Sequence, residues 1–116
     1  MFLTFYETPV FRKKLDELTS LETLYAIQAD LLDDPKRWPV IRGTNGARKG
    51  RIAEPGSQEG KSGSFRYIYF FLEHQGQIYL LYLLDKKKQA NLNAKQTKIV
   101  AAMVEAIKKA ARKELK

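Results

Sequence analysis

Residues Arg42 to Phe71, RGTNGARKGRIAEPGSQEGKSGSFRYIYFF, decide how the chain is read. Gly43, Asn45 and Gly46 supply a turn that tolerates positive φ, and Ala47 to Ala53 follows as a strand. Pro55, Gly56, Gly60 and Gly63 then mark Glu54 to Gly63 as a hairpin loop with Lys61 near its exit. Ser64 to His74 is the most strand-like run in the chain. Alternation along a strand puts Lys49 and Arg51 on one face and Arg48 with Gly50 on the other, and it places Arg66 with Ile68, Phe70 and Leu72 against Phe65, Tyr67, Tyr69 and Phe71. Spacing leaves open whether Arg66 or the tyrosines lie beside Lys49 and Arg51, because it does not set register across the loop.

On the N-terminal side of this stretch, Phe2 to Tyr6 is a short strand by propensity. Thr8 followed by Pro9 opens a helix whose apolar residues Val10, Phe11, Leu15 and Leu18 recur on one face. Thr19 and Glu22 have the form of a capping box for a second helix, which runs through Leu24, Leu31 and Leu32 to about Asp33 before Pro35 stops it. The two form a helical hairpin, and Trp38 to Ile41 is an apolar link packing on it. On the C-terminal side, the turn at His74 to Gln77 leads into a strand over Ile78 to Asp85. Lys86 to Lys88 follow, and a capping signal at Asn91 to Asn93 opens a final helix with Ile99, Val100, Met103, Val104 and Ile107 on one stripe. The order strand, two helices, three antiparallel strands and helix predicts one α+β domain over residues 1–116, with the helices on one side of the sheet and the site on the other.

The chain has 116 residues, 44% apolar and 29% charged, as an ordinary folded domain has. It has no cysteine and one histidine. Disulfides and thiol catalysis are thereby excluded, and neither a cofactor nor a protein-held metal is expected. His74 falls in a turn away from the basic strands. With no run of 18 apolar residues and no signal-peptide pattern, the expected location is the cytoplasm, with no membrane partner. The net charge of +8 is uneven: residues 1–41 carry 5 Lys or Arg against 7 Asp or Glu, and residues 42–116 carry 16 against 6. Such asymmetry suits a face that meets a polyanion. For a lone lysine pair on an edge strand the ordinary reading is protection against edge pairing. Convergence of Lys49, Arg51, Arg66, Lys61, Lys86 and Lys87 on one sheet or its rim favours a binding site instead. Tyrosines in a sheet are ordinarily core, so at most one or two would stack on a base.

A site of Lys and Arg suits phosphodiester chemistry in which RNA supplies its own 2′-hydroxyl and cations stabilise the transition state. A lysine base at neutral pH needs its pKa lowered by roughly 3 units, about 4 kcal/mol, so charge stabilisation carries more weight than proton transfer.

The segments GTNGARKGRIA, GKSGSFRYIYFF and YLLYLLDKKKQANL together resemble the RelE superfamily of toxins from bacterial type II toxin-antitoxin systems, nearest its HigB-like branch. The resemblance implies the small α+β RelE-like fold with a mainly antiparallel central sheet, an N-terminal helical hairpin and a C-terminal helix. It implies an mRNA endoribonuclease acting in the A site of the 70S ribosome, inhibiting translation without a metal. It also implies a cognate antitoxin of helix-turn-helix type, with DNA contacted only through the complex. Carried onto this chain, the catalytic set is Lys49, Arg51, Arg66 and Lys87, with RNA contacts from Arg48, Lys61, Lys86, Lys88 and Tyr82. The tyrosine of RelE-type members would fall near Asn93, where none stands, and Tyr82 or Asp85 are its nearest substitutes. The alternative is a basic module that binds RNA, DNA or an antitoxin without catalysis.

Overall fold

The computed structural model describes residues 2–57 and 63–114. Its elements in chain order are β1 (Thr4–Glu7), α1 (Pro9–Leu18), α2 (Leu21–Asp33), β2 (Arg48–Ile52), β3 (Phe65–Leu72), β4 (Gln77–Asp85) and α3 (Ala94–Glu114). A 3₁₀ turn over Glu73–Gln75, closed by Gly76 in the left-handed conformation, joins β3 to β4. The strands form a mixed sheet in the order β1-β4-β3-β2, with β2, β3 and β4 antiparallel and β1 parallel to β4 at one edge.

Local chemistry accounts for the helix ends. The Thr8 hydroxyl accepts the Phe11 N–H at 3.0 Å and donates to the Leu81 carbonyl at 3.1 Å, so one cap starts α1 and ties it to β4. α2 departs from the expected capping box. Its cap is Ser20 rather than Thr19 and makes no side-chain bond, because Thr19 closes α1 and its hydroxyl is engaged with Thr23 and Glu54. A reciprocal box forms at α3 instead: Asn93 Oδ1 accepts the Gln96 N–H at 2.8 Å, and Gln96 Oε1 accepts the Asn93 N–H at 3.0 Å.

The helices do not share one side of the sheet. α1 and α2 cover one face, where Phe11, Leu15, Leu24, Ile27 and Leu31 pack on Phe65, Tyr67, Tyr69 and Leu80. α3 covers the other, where Val100, Val104 and Ala111 pack on Ile68, Phe70, Leu72 and Leu81. The reason lies in the strands: β3 is apolar on both faces, and a two-sided strand is buried from both sides. A register shift opposite Ile68 and Tyr69 leaves Leu81 as an extra residue on β4, so Leu81 and Tyr82 both turn toward the α3 layer.

Two tyrosines cross-brace the α1/α2 face. Tyr69 donates to the Pro35 carbonyl at 2.8 Å, and Tyr67 donates to the Asp30 carboxylate; both rings are fully buried. Burial pushes the Tyr69 hydroxyl up to about 12. Burial, with the adjacent Asp30 charge, raises that of Tyr67 further. The folded state therefore keeps protons that the unfolded chain releases near its ordinary tyrosine pKa of about 10. Stability from these two groups is complete below that value and is lost as pH rises above it, until about 12 for Tyr69 and beyond that for Tyr67, by up to about 1.4 kcal/mol per pH unit for each tyrosine. Urea midpoints measured from about pH 9 upward should fall across this window, and Tyr69→Phe should flatten the fall. A midpoint unchanged through pH 10 and above would contradict the buried hydroxyls.

Candidate functional site

The turn before β2 is built around Thr44, whose buried hydroxyl donates to the Ile41 carbonyl at 2.7 Å and accepts the Ala47 N–H at 3.1 Å. Asn45 and Gly46 take positive φ there, as the Gly-Asn-Gly pattern predicts. The turn delivers β2 beside β3 in a register that sets Arg51 directly opposite Arg66 and Lys49 opposite Ile68. Lys49, Arg51 and Arg66 therefore share one face, the face α3 covers farther along the sheet. Gly50 lies on the opposite face, where it allows the Tyr67 ring to press against the strand.

Lys49, Arg51 and Arg66 line one open cleft of about 350 Å³ together with Trp38, Pro39 and Ala90. Arg66 is only 8% exposed. Burial lowers its guanidinium pKa, and the positive charge of Arg51 lowers it further. Like charges placed opposite each other on neighbouring strands are unfavourable, and a bound anion would relieve the repulsion between Arg51 and Arg66. Among the described residues, neither Lys49 nor Arg51 forms an ion pair with a carboxylate. Lys49 donates to Asn91 Oδ1 in the loop before α3, and Arg51 lies over Trp38 with its guanidinium carbon 5.2 Å from the ring centroid.

The other candidates stand elsewhere. Arg48 points to the α1/α2 side of the sheet and donates to the carbonyls of Trp38 at 2.7 Å and Lys36 at 3.3 Å. Lys87 lines a separate groove with Leu18, Glu54, Ser64 and Asp85, at the end of β3 and β4. Lys86 binds the Ser64 carbonyl through its backbone N–H, and Lys88 lines a third groove with Lys14, Tyr82 and Gln89. Tyr82 shares a face with Lys49 but lies two strands away, about 10 Å by strand spacing. Its hydroxyl accepts from the Gln96 amide at 3.3 Å. Asp85 caps the turn after β4, accepting the Lys87 N–H. Lys61 lies outside the described residues.

Two residues at the cleft escape a reading by pattern. Trp38 forms its wall, and Asp30 stands behind Trp38, accepting the indole N–H at 2.7 Å while also accepting from Tyr67 and Arg37. The available signal is an acid at position 30, on the same helical face as the buried Ile27 and Leu31.

No protein-family model matches the chain. Among solved structures, an arginine-to-alanine double mutant of E. coli toxin RelE in the free state superposes with a TM-score of 0.56 at 16% identity, over 77% of this chain and 88% of that one. The isolated E. coli RelE toxin gives 0.54 at 16% identity, over 94% and 99%. The same double mutant in complex with a peptide of the antitoxin RelB gives 0.55 at 14%, over 80% and 100%. The chain has the RelE fold. At this identity the likeness concerns architecture: a RelE-like sheet with its helices, on which the basic cleft is a feature of this chain's own residues.

Proposed function

We propose that the chain, as a single domain, is the toxin of a type II toxin-antitoxin pair, of the HigB-like branch, and cuts mRNA on the ribosome. What supports the reading is the cleft in which Lys49, Arg51 and Arg66 converge on a RelE-like scaffold. In this reading the 2′-hydroxyl of the substrate attacks the adjacent phosphorus and the bond to the 5′-oxygen breaks. The products are a 2′,3′-cyclic phosphate and a 5′-hydroxyl end. Arg51 and Arg66 hold the phosphate and stabilise the charge that builds on its oxygens, and Lys49 orients it with help from Asn91. The reaction needs no metal. Lys86, Lys87 and Lys88 grip ribosomal RNA from the rim, with Lys61 and Tyr82 as further RNA contacts. Arg48 serves by holding the Trp38 loop. The antitoxin is of helix-turn-helix type and carries the DNA contacts, and the location is the cytoplasm.

Among the described residues, those that line the cleft include no carboxylate, histidine or tyrosine. Proton transfer then falls to water or to groups the ribosome brings. The same observation favours a second reading, a module that blocks translation by binding alone. Induced expression in a bacterium is the first test. Growth arrest with shortened mRNAs supports the nuclease, arrest with intact mRNAs supports the binding module, and unchanged growth counts against both.

A further inference from the structure

We propose that Trp38 is a positioning residue for Arg51, and that Asp30 in turn orients Trp38; the inference rests on reading the cleft as a phosphodiester site. Arg51 is exposed and faces Arg66 across the strands, so repulsion alone would drive its guanidinium out of the cleft. The Trp38 ring opposes this. Its π face attracts the guanidinium, which lies within the range of a cation–π contact. Asp30 holds the ring through its indole N–H, and Arg48 holds the Trp38 main chain through its carbonyl. Asp30 is fixed in turn by the buried Tyr67 hydroxyl and by Arg37. A chain of contacts thus runs from the α1/α2 core to the cleft on the far face, and its last member restrains a long side chain before substrate arrives. A restrained arginine loses less rotamer freedom on binding a phosphate.

The test is a double-mutant cycle on the full chain, read as affinity for a single-stranded 2′-O-methyl oligoribonucleotide, which binds without being cut. Trp38→Leu should weaken binding roughly two- to five-fold. It should weaken it no further in the Arg51→Ala background, because a residue that acts through Arg51 has nothing left to position. Losses that add would overturn the proposal, placing Trp38 in direct contact with RNA or in a general structural role. If the leucine variant does not fold, Trp38→Phe takes its place, with a smaller loss that also vanishes beside Arg51→Ala. Arg51→Ala that binds as the parent does would overturn the cleft reading as well, which separates the two failures. Trp38 is the sole tryptophan of the chain, so its emission reports the contact directly. Arg51→Ala should change that emission in the free protein, and an unchanged spectrum would overturn the contact.

Discussion

Gly50→Ala should lower the stability of the fold by about 3 kcal/mol or more, although it adds a single methyl group. A Cβ at position 50 would stand 2.3 Å from the Tyr67 ring and 2.6 Å from its hydroxyl oxygen. The ring has nowhere to go: Tyr67 is fully buried, and its hydroxyl is bound to Asp30. Either β2 separates from β3, or Tyr67 leaves its site and abandons a hydrogen bond to a charged acceptor. Overpacking of this kind costs about 1–3 kcal/mol, and the lost bond about 1.5–3 kcal/mol more. For a domain of this size the melting temperature should drop by roughly 10 °C or more. Adding Tyr67→Leu, which removes the ring, should recover part of the loss. A single mutant melting within about 2 °C of the parent would contradict the packing of Tyr67 beneath β2. The position matters to the cleft because Gly50 stands between Lys49 and Arg51; the strand can press flat on Tyr67 while its neighbours project to the other face.

Arg66→Ala should abolish toxicity in cells and leave the protein folded. Arg66 is the most buried of the three cations at the cleft, where a charge acts through a lower effective dielectric than at the surface. Removing one donor that stabilises developing charge typically lowers kcat by about 10²–10³. The fold should tolerate the change, because Arg66 lines an open cleft where water can fill the space its side chain leaves. Thermal unfolding should move by no more than a few degrees. Arg66→Lys keeps the charge but loses the planar fork, and should recover only part of the activity. A mutant that arrests growth as the parent does would show that the site is misassigned.

Much of the scaffold can be read from periodicity. The Thr8-Pro9 start, the Gly-Asn-Gly turn, the two long strands and the Asn cap of α3 are local signals, and each falls where its chemistry predicts. Relations between elements are less visible. Thr19 and Ser20 both precede α2 as possible caps, and Thr19 is drawn from that role by closing α1 and by its contacts with Thr23 and with Glu54, 35 residues away. The side taken by α3 was implicit in the two-faced apolarity of β3, but a partner or a substrate would have explained that pattern equally well. The pairing of Arg51 with Arg66 spans a long loop and has no local signal, since a slip of one residue would have set the tyrosines beside Lys49 instead. Lys87 follows β4 in sequence, yet the turn that Asp85 caps carries it to a different groove. Trp38 reads as a packing residue because its link to the cleft runs through Asp30 and Arg51, which are far apart in sequence.

Whether the Lys49, Arg51 and Arg66 cleft cuts RNA is decided by mapping RNA 5′ ends on an mRNA under translation in a reconstituted system, with the parent chain and with Arg66→Ala. For a cleft that cuts RNA, new 5′-hydroxyl ends appear within the translated region for the parent, paired with 2′,3′-cyclic phosphates, and are absent with Arg66→Ala. An intact mRNA in a system whose translation the parent nonetheless halts, or the same ends from both proteins, would contradict it.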